Sequence, residues 1–338
     1  MSPAPTRQDD VAPDDVRVAG VEEVAATSAE VLDAVGRVVV GQQRSLRLTL
    51  AAVLAGGHVL LEDVPGLGKT LAARSLSGAL GLDFRRLQCT PDLLPADVTG
   101  SFVYDPAQAS FTFHPGPVFA GLLLVDEINR TPPKTQSALL EAMQERQVTV
   151  EGRTFGLPVP FHVLATANPV EYEGTYPLPE AQLDRFLLRL DVGYPDGDGE
   201  AEVVRRRLER RAEAAPVAAV VDRAHLLALQ AGVEAVPVDP DVVRYCVDLA
   251  AATRRHRAIE VGASPRGTLA LVLVARALAV LSGRDAVLPE DVQDVAPAAL
   301  AHRLTLRPET WSTGTTGADV VREVLESVPT PSTARTAQ

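Results

Sequence analysis

Cysteine, lysine and aromatic residues are scarce in this 338-residue chain, and the shortages exclude several classes of protein. The two cysteines, Cys89 and Cys246, lie far apart without paired spacing, so the sequence indicates neither a disulfide framework nor a cysteine metal site. We therefore expect a cytoplasmic protein. Aromatic residues make up 4% of the chain and apolar residues 46%, so its core should consist mostly of leucine, valine and alanine.

The chain also lacks a long apolar run. The longest covers residues 269–281 and is interrupted by Arg276, whereas a helix needs roughly 20 apolar residues to cross a bilayer. The first residues show no cationic start followed by an apolar stretch, so we expect no signal peptide. The sequence thus predicts a protein with no membrane span.

Positive charge is in deficit as well. The chain has 44 acidic and 32 basic residues, a formal net charge of -12, and only two lysines, Lys69 and Lys134. An acidic chain is a poor non-specific ligand of polyanions. We therefore expect no nucleic-acid partner.

Short apolar runs alternate with helical patterns along the middle of the chain. The runs that we interpret as strands are residues 58–62, 84–89, 122–126, 161–167 and 186–192. Runs such as LLLVD and VLLED are typical of strands buried on both faces. The pattern therefore predicts an α/β fold with a parallel sheet between helices.

The pattern changes near Tyr194, where PDGDGE forms a turn-rich linker and helical patterns follow. We expect an α/β core over residues 21–195 and a small all-helical domain over residues 196–311. The helical part includes a nearly all-apolar helix over residues 266–281, opened by Ser264 and Pro265. Residues 1–20 and 312–338 are rich in Pro, Asp, Ser, Thr and Gly without periodicity, which predicts disordered tails.

The most specific local motif is VLLEDVPGLGKT, in which a predicted strand enters a glycine-rich turn and then a helix over residues 71–80. This order is the context of a phosphate-binding P-loop, although a turn with an incidental GKT is the alternative. The loop's backbone N–H groups would hold phosphate oxygens, Lys69 would reach the β- and γ-phosphates, and Thr70 would ligate Mg²⁺. Asp63 stands where the generic pattern has glycine. The residues predicted to contact the nucleotide here are Pro65, Gly66, Leu67, Gly68, Lys69, Thr70 and Leu71.

Two later strand ends carry polar residues suited to hydrolysis of a phosphate ester. In LLLVDEINR, Asp126 would hold Mg²⁺ through water, and Glu127 would polarise the attacking water as a general base. FHVLATAN ends in Asn168, which could fix that water at the carboxyl edge of the sheet. The alternatives are a solvated strand end for the acidic pair and a turn before Pro169 for Asn168.

The chain resembles the MoxR family of AAA+ ATPases over residues 38–306, because it contains four of the family's motifs in order. They read EDVPGLGKT, LLLVDEINRTPPKTQSALLEAMQERQVTVEG, LATANPVEYEGTYPLPEAQLDRF and SPRG. The resemblance implies an AAA+ core with a five-stranded parallel sheet, a helical lid domain, and ATP and Mg²⁺ as cofactors. MoxR-like P-loops vary at the position of Asp63, so this departure leaves the resemblance intact.

The resemblance also implies roles for individual residues. The segment that matches the family's adenine contact is Val40, Gly41 and Gln42. Asn168 matches the sensor 1 position, Arg266 the sensor 2 arginine of the lid, and Arg185 the arginine finger that one subunit donates to its neighbour. The alternatives are a helix-start charge for Arg266 and a surface ion pair for Arg185.

Two further segments match insertions of the same branch of AAA+ proteins. GSFVYDPAQASFTFHPGPVF lies where the family inserts a hairpin, and QVTVEGRTFGLPVPFHV alternates like a second hairpin with a Glu-Gly turn. The resemblance implies that both face the pore of a ring. Ordinary surface hairpins are the alternative.

The resemblance implies a motor that hydrolyses ATP in a homo-oligomeric ring, a hexamer, and remodels, assembles or loads cofactors into protein clients. Its partners would include proteins with von Willebrand A-type domains. One alternative is a motor similar to the magnesium-chelatase ATPase or to a DNA translocase. The other is a nucleotide-gated scaffold with little turnover, against which Glu127 and Arg185 argue because a pure binder needs neither.

Overall fold

The computed structural model of the chain describes residues 16–62, 66–168, 175–210, 216–311 and 314–332. The helices in these residues are α1 (Val21–Gly36), α2 (Gln43–Leu54), α3 (Lys69–Ala79), α4 (Pro95–Thr99), α5 (Pro133–Glu145), α6 (Glu180–Leu183), α7 (Gly197–Arg210), α8 (Arg223–Ala235), α9 (Pro240–Arg255), α10 (Pro265–Leu281), α11 (Pro289–Leu300), α12 (Pro308–Trp311) and α13 (Gly317–Ser327). The strands are β1 (Val59–Glu62), β2 (Phe84–Gln88), β3 (Gly100–Asp105), β4 (Ser110–Pro115), β5 (Leu122–Asp126), β6 (Gln147–Val150), β7 (Arg153–Gly156), β8 (His162–Ala167), β9 (Leu188–Leu190), β10 (Ile259–Val261) and β11 (Thr305–Leu306).

Five of the strands form a parallel sheet in the order β2-β5-β8-β1-β9. Leu122 of β5 pairs with Phe84 on one side and His162 on the other. Val59 of β1 pairs with β8 and, on its other side, with Leu188 of β9. The predicted fold class and all five predicted strands are therefore confirmed, and the carboxyl ends of the strands share one edge.

The sheet is buried on both faces, as its apolar strands require. Leu122 and Leu124 of β5 belong to a core shared with α1, α2, α3 and the C-terminal helices. Leu123 and Val125 alternate to the other face and pack in a second core with α5 and the hairpin strands. Every residue of β5 and β8 is buried, so the ends of these two strands are held rigidly.

Helices α8 to α11 form a helical lid that packs on the rest of the chain through α1 and α2, and the predicted lid is confirmed. Helix α10 begins where predicted, because the Ser264 hydroxyl accepts a hydrogen bond from the Arg266 N–H at 3.1 Å. The apolar run 269–281 lies within this helix. None of the helices in the described ranges has the length and apolar character to cross a membrane.

The two insertions form antiparallel hairpins, β3–β4 and β6–β7. They contact each other through Phe113 and Phe155, whose rings stack with centroids 4.1 Å apart. Tyr104 and Phe111 form an aromatic pair on the first hairpin and are 50% and 67% exposed. The hairpins thus present an apolar surface to solvent.

The predicted disorder of both tails is wrong for the parts that the structure describes. Residues 314–332 include α13, which buries Val320, Val321 and Val324 against the lid and is capped by Thr316. The Ser, Thr, Gly and Pro residues around this short helix conceal its apolar pattern. At the other end Ala19 is 3% exposed, and its N–H donates to the carbonyl oxygen of Ala228.

Candidate functional site

The carboxyl edge of the parallel sheet opens into a cleft of about 240 Å³. Because β5, β8 and β1 are neighbours in the sheet, the polar residues that follow them converge there. The residues that line this phosphate cleft are Gly66, Leu67, Gly68, Lys69, Thr70, Arg86, Gln88, Asp126, Glu127, Thr166, Ala167 and Asn168. The structure thus brings together the predicted residues of the P-loop, the acidic pair and the sensor 1 position.

The P-loop delivers the N-terminus of α3 to this cleft. Gly66 and Gly68 have φ values of +89° and +74°, a region that disfavours residues with a side chain, so the tight turn requires glycine. Helix α3 begins at Lys69, directly after Gly68. The first N–H groups of a helix have no partner within the helix and attract anions, so this end suits a phosphate.

The segment predicted to contact adenine, residues 40–42, is hydrogen-bonded to the P-loop. The Gln42 side chain donates a hydrogen bond from Nε2 to the Leu67 carbonyl oxygen at 2.6 Å. This contact links the two predicted parts of the nucleotide site. Pro65 and Asp63 lie outside the described residues.

Thr70 and Asp126 offer oxygen atoms suited to Mg²⁺. The Thr70 hydroxyl lies 3.5 Å from Asp126 Oδ2, and the Thr166 hydroxyl donates to Asp126 Oδ1 at 3.3 Å. Mg²⁺ prefers oxygen ligands and usually keeps several waters while it binds one or two protein groups and substrate phosphates. The described residues contain no cluster of three or more His, Cys, Asp or Glu side chains that could hold a metal alone. The donors therefore fit a metal that is shared with a nucleotide.

Glu127 is held in a strained and well-defined position. Its backbone is left-handed, with φ +58°, and its N–H donates to the Thr166 hydroxyl at 2.8 Å. Its carboxylate oxygen Oε2 accepts hydrogen bonds from Gln88 Nε2 at 3.2 Å and from Arg130 Nη1 at 3.1 Å. The carboxylate is thus oriented at the cleft, where it could accept a proton from water.

Asn168 follows β8 at the same edge and is 6% exposed. Its backbone carbonyl oxygen accepts a hydrogen bond from Asn129 Nδ2 at 3.1 Å. This bond ties the residue after β8 to the turn after β5. Asn168 and Glu127 are therefore presented to one cleft from two adjacent strands.

Sequence reasoning missed Arg86 and Gln88, which enter the cleft from β2. The Arg86 guanidinium donates from Nε to Asp126 Oδ2 at 2.6 Å and from Nη2 to Gln88 Oε1 at 3.0 Å. Two residues apart on a strand, both side chains leave the same face. The pairing of Gln88 with Asp126 in the sheet puts them beside the acidic pair. Polar residues alternating at the end of FRRLQ were the available signal.

A second cleft of about 250 Å³ lies between the N-terminal segment, β9 and the lid. Gly41 and Gln42 line it together with the small side chains of Ala298, Ala301 and Ala318. Gly41 has φ +77°, and a β-carbon there would lie 2.9 Å from Cβ of Pro195, so the turn requires glycine. Arg44, Arg189 and Asp191 line it as well, so the cleft offers apolar contacts for the face of a base and polar groups for its edge. Of the other two predicted contacts, Leu71 packs against the main core and Val40 is half-buried.

The two predicted arginines lie elsewhere. Arg185 and Arg266 line a third cleft, of about 220 Å³, which shares no lining residue with the phosphate cleft. We call it the arginine cleft. Leu269, which is 59% exposed, lines it as well. Arg185 and Arg266 therefore share one cleft, and neither lines the phosphate cleft of their own chain.

The position of the arginine cleft follows from the sheet. The Leu187 N–H donates to the His58 carbonyl oxygen at 2.8 Å, directly before β1 and β9 begin as parallel neighbours. Arg185 precedes Leu187 by two residues, so it lies off the amino edge of the sheet. The P-loop follows the carboxyl end of β1. Arg185 and the P-loop are thus at opposite edges.

Residues 58–188 match the family model for the ATPase family associated with various cellular activities (AAA), and residues 251–324 match that for the AAA lid domain. Protein YeaC of Bacillus subtilis is 47% identical over 92% of this chain and 97% of its own length. Chaperone MoxR1 of Mycobacterium tuberculosis is 42% identical over 92% of this chain and 85% of its own. A solved structure from Cytophaga hutchinsonii superposes with a TM-score of 0.86 and 41% identity, covering 92% of this chain and 97% of that one.

Proposed function

Because the chain belongs to the MoxR family of AAA+ ATPases, we propose that it hydrolyses Mg²⁺-bound ATP in a homo-oligomeric ring and remodels protein clients in the cytoplasm. The observation that carries the proposal is the phosphate cleft, where Lys69, Thr70, Asp126, Glu127 and Asn168 converge. These residues have the chemistry that phosphoryl transfer to water requires.

The P-loop binds the phosphates of ATP. The N–H groups at the start of α3 and the Lys69 ammonium hold the β- and γ-phosphates, and the cleft lined by Gly41 and Gln42 receives the adenine. Thr70 and, through water, Asp126 would hold Mg²⁺, which would neutralise charge that develops on the phosphates. The Gln42 bond to Leu67 fixes the distance between base and phosphate sites.

Glu127 prepares the attacking water. Its carboxylate accepts the water proton, and its two hydrogen bonds, to Gln88 and Arg130, keep it aimed at the cleft. Asn168 orients the same water from the end of β8. A positioned general base of this kind contributes on the order of 10²- to 10⁴-fold in rate.

Arg185 and Arg266 act on the nucleotide of a neighbouring subunit. From its first to its last residue, β1 alone spans roughly 10 Å, at about 3.3 Å per residue. The P-loop follows its carboxyl end, whereas Arg185 lies outside the amino edge of the sheet. Arg266 shares the arginine cleft, so we propose that it also reaches across the interface instead of serving the ATP of its own chain. A hexamer would repeat this contact at each interface.

The two hairpins contact the client. The rings of Tyr104 and Phe111 form an exposed aromatic pair. Exposure of this apolar surface to water is unfavourable, so the pair suits contact with an apolar segment of a client protein. Clients with von Willebrand A-type domains remain our expectation from the family. The relative named chaperone MoxR1 supports a role in protein remodelling.

A client trap tests the proposal. Glu127→Gln should bind ATP, fail to hydrolyse it and retain client proteins in an affinity pull-down, whereas Lys69→Ala, the matched control, should retain few because it binds ATP poorly. Proteins recovered only with Glu127→Gln and ATP would support remodelling. Equal recovery with both variants, or with ADP, would contradict it.

A further inference from the structure

Arg86 holds one oxygen of the carboxylate that is proposed to bind metal. Its Nε lies 2.6 Å from Asp126 Oδ2, and the Thr70 hydroxyl lies 3.5 Å from the same oxygen. Oδ2 is therefore the oxygen that the second proposed metal ligand approaches. The Asp126 side chain is 9% exposed, so few positions around it are open to a cation.

A guanidinium and Mg²⁺ compete for the negative charge of this carboxylate, whether the metal binds it directly or through water. Mg²⁺ bonds oxygen at about 2.0–2.1 Å in a near-octahedral shell, and its charge repels a second cation only a few ångströms away. The Asp126 carboxylate has a second oxygen, Oδ1, but that atom faces the Thr166 hydroxyl at 3.3 Å. Arg86 and a metal held with Thr70 are thus competitors for Asp126.

The side chain of Arg86 has room to move away from Asp126. Its side chain is 48% exposed and lines the phosphate cleft, whereas its backbone is fixed by the pairing of β2 with β5. The guanidinium can therefore swing within the cleft while the strand stays in place. Arg85, the next residue, differs in both respects, because it pairs with Asp83 and does not line the cleft.

We propose that Arg86 is a metal-exchange residue: it neutralises Asp126 before nucleotide binds and passes the carboxylate to Mg²⁺ when Mg²⁺-bound ATP arrives. The proposal rests on the proposed ATP site. It assigns Arg86 a positioning role, since it acts through Asp126. It has two consequences. Arg86 weakens metal binding, and it lets ATP enter without metal because the carboxylate no longer repels the phosphates.

Metal affinity tests the exchange directly. Mn²⁺, which takes the same oxygen ligands as Mg²⁺, is titrated into the protein bound to a non-hydrolysable ATP analogue, and free Mn²⁺ is read from its electron paramagnetic resonance signal. Arg86→Gln should bind Mn²⁺ about twofold to fivefold more tightly than wild type, the factor expected for loss of one partly exposed ion pair. Arg85→Gln should leave the affinity unchanged.

Whether Mn²⁺ affinity rises, falls or stays the same in Arg86→Gln decides between the roles that Arg86 could have. If Arg86 only orients Asp126, its removal should weaken Mn²⁺ binding, and if it contacts only phosphate, Mn²⁺ affinity should stay the same. Either result would overturn the proposal. The second measurement is the binding of a fluorescent, non-hydrolysable ATP analogue in excess EDTA, which should weaken in Arg86→Gln but not in Arg85→Gln.

Two checks keep the outcome interpretable. Thermal unfolding shows whether Arg86→Gln folds, and if it does not, Arg86→Lys replaces it, because a single compact ammonium should hold Asp126 less well and shift Mn²⁺ affinity in the same direction. Failure of the wild-type protein to bind the analogue at all would overturn the proposed ATP site instead. Normal binding with unshifted Mn²⁺ affinity in the variant would overturn only the exchange.

Discussion

The Ser264 hydroxyl donates a hydrogen bond to Asp184 Oδ2 at 3.0 Å and thereby joins the start of lid helix α10 to the segment before β9. Asp184 Oδ1 also accepts a hydrogen bond from Arg303 Nε at 2.8 Å. Arg185 and Arg266 each lie one or two residues from this junction. These contacts therefore hold the two segments that carry the arginines against each other, where the lid meets the core.

Asp184→Ala should destabilise the protein far more than Ser264→Ala. Arg303 has a side chain only 3% exposed, and loss of Asp184 leaves its charge without a carboxylate, a change that costs on the order of 3 kcal/mol. Ser264→Ala removes a helix cap, which costs about 1 kcal/mol. Urea unfolding of both variants measures the difference. Equal losses would show that the backbone carbonyls around Arg303 satisfy it without Asp184.

Lys69→Ala and Glu127→Gln should separate binding from turnover. Lys69 lies in the loop that holds phosphate, so its removal should weaken nucleotide affinity, whereas Glu127→Gln should keep ATP and lose hydrolysis by a factor on the order of 10² or more. Titration with a fluorescent nucleotide and phosphate release measure the two properties. If Glu127→Gln hydrolyses ATP like wild type, Glu127 is not the base.

The sheet and the phosphate cleft could be predicted because their signals are local. Each strand is a short apolar run, and the polar residues directly after β5 and β8 must lie at the same edge once the strands are parallel. Asp126 and Asn168 therefore line the same cleft, as the strand pattern predicts. The contact of Arg86 with Asp126 depends on the pairing of β2 with β5, whose partner residues lie 38 positions apart in the chain, and no local pattern contains that pairing.

Two other features required tertiary contacts that sequence reasoning did not have. Helix α13 is only 11 residues long, and its buried valines gain stability from the lid helices rather than from helix propensity. The place of Arg266 depends on how the lid packs on the core, because SPRG alone identifies a helix start and not the edge of the sheet that it faces. Its motif indicated a role, and the fold determined its location.

Acid should destabilise the protein through buried histidines at the amino edge of the sheet. Burial lowers the pKa of His162 to about 4 and that of His58 to about 3, from an ordinary value of 6.5. The unfolded chain then takes up protons first, so stability present above pH 6.5 is lost as pH falls toward these values, by up to about 1.4 kcal/mol per pH unit for each histidine.

His162→Gln tests this pH dependence. Glutamine can replace the hydrogen bonds of the ring to Gly57 and Gln230 without titrating. The free energy of unfolding, measured in urea between pH 7 and pH 5, should fall less steeply in the variant than in wild type. His114→Gln, at an exposed position, is the control and should keep the wild-type slope. Equal slopes in all three proteins would exclude His162 as a source.

DNA should neither bind tightly nor stimulate ATP hydrolysis at near-physiological salt. The chain carries a net charge of -12, and electrostatic attraction to phosphates supplies essentially all of non-specific DNA binding. Fluorescence anisotropy with single- and double-stranded DNA, beside a phosphate-release assay, measures both effects. A clear, salt-sensitive stimulation would favour the DNA-translocating alternative over remodelling of proteins.

Hydrolysis should be a property of the oligomer, because Arg185 and the P-loop lie at opposite edges of the sheet. An arginine supplied by a neighbour stabilises charge in the transition state and can contribute on the order of 10³- to 10⁵-fold in rate. Specific activity should therefore rise with protein concentration. Arg185→Ala and Arg266→Ala should each bind ATP like wild type and hydrolyse it poorly.

Mixing inactive variants distinguishes arginines that act across the interface from those that act within a subunit. Arg185→Ala mixed with Lys69→Ala should regain activity, because an intact P-loop then meets a neighbour with Arg185. Arg266→Ala mixed with Lys69→Ala should regain activity for the same reason. Arg185→Ala mixed with Arg266→Ala should not, since every neighbour lacks one of the two side chains that share the arginine cleft. Recovery in this last mixture would mean that Arg266 serves the ATP of its own chain, and no recovery in any mixture, with activity per subunit flat on dilution, would return Arg185 to a structural role.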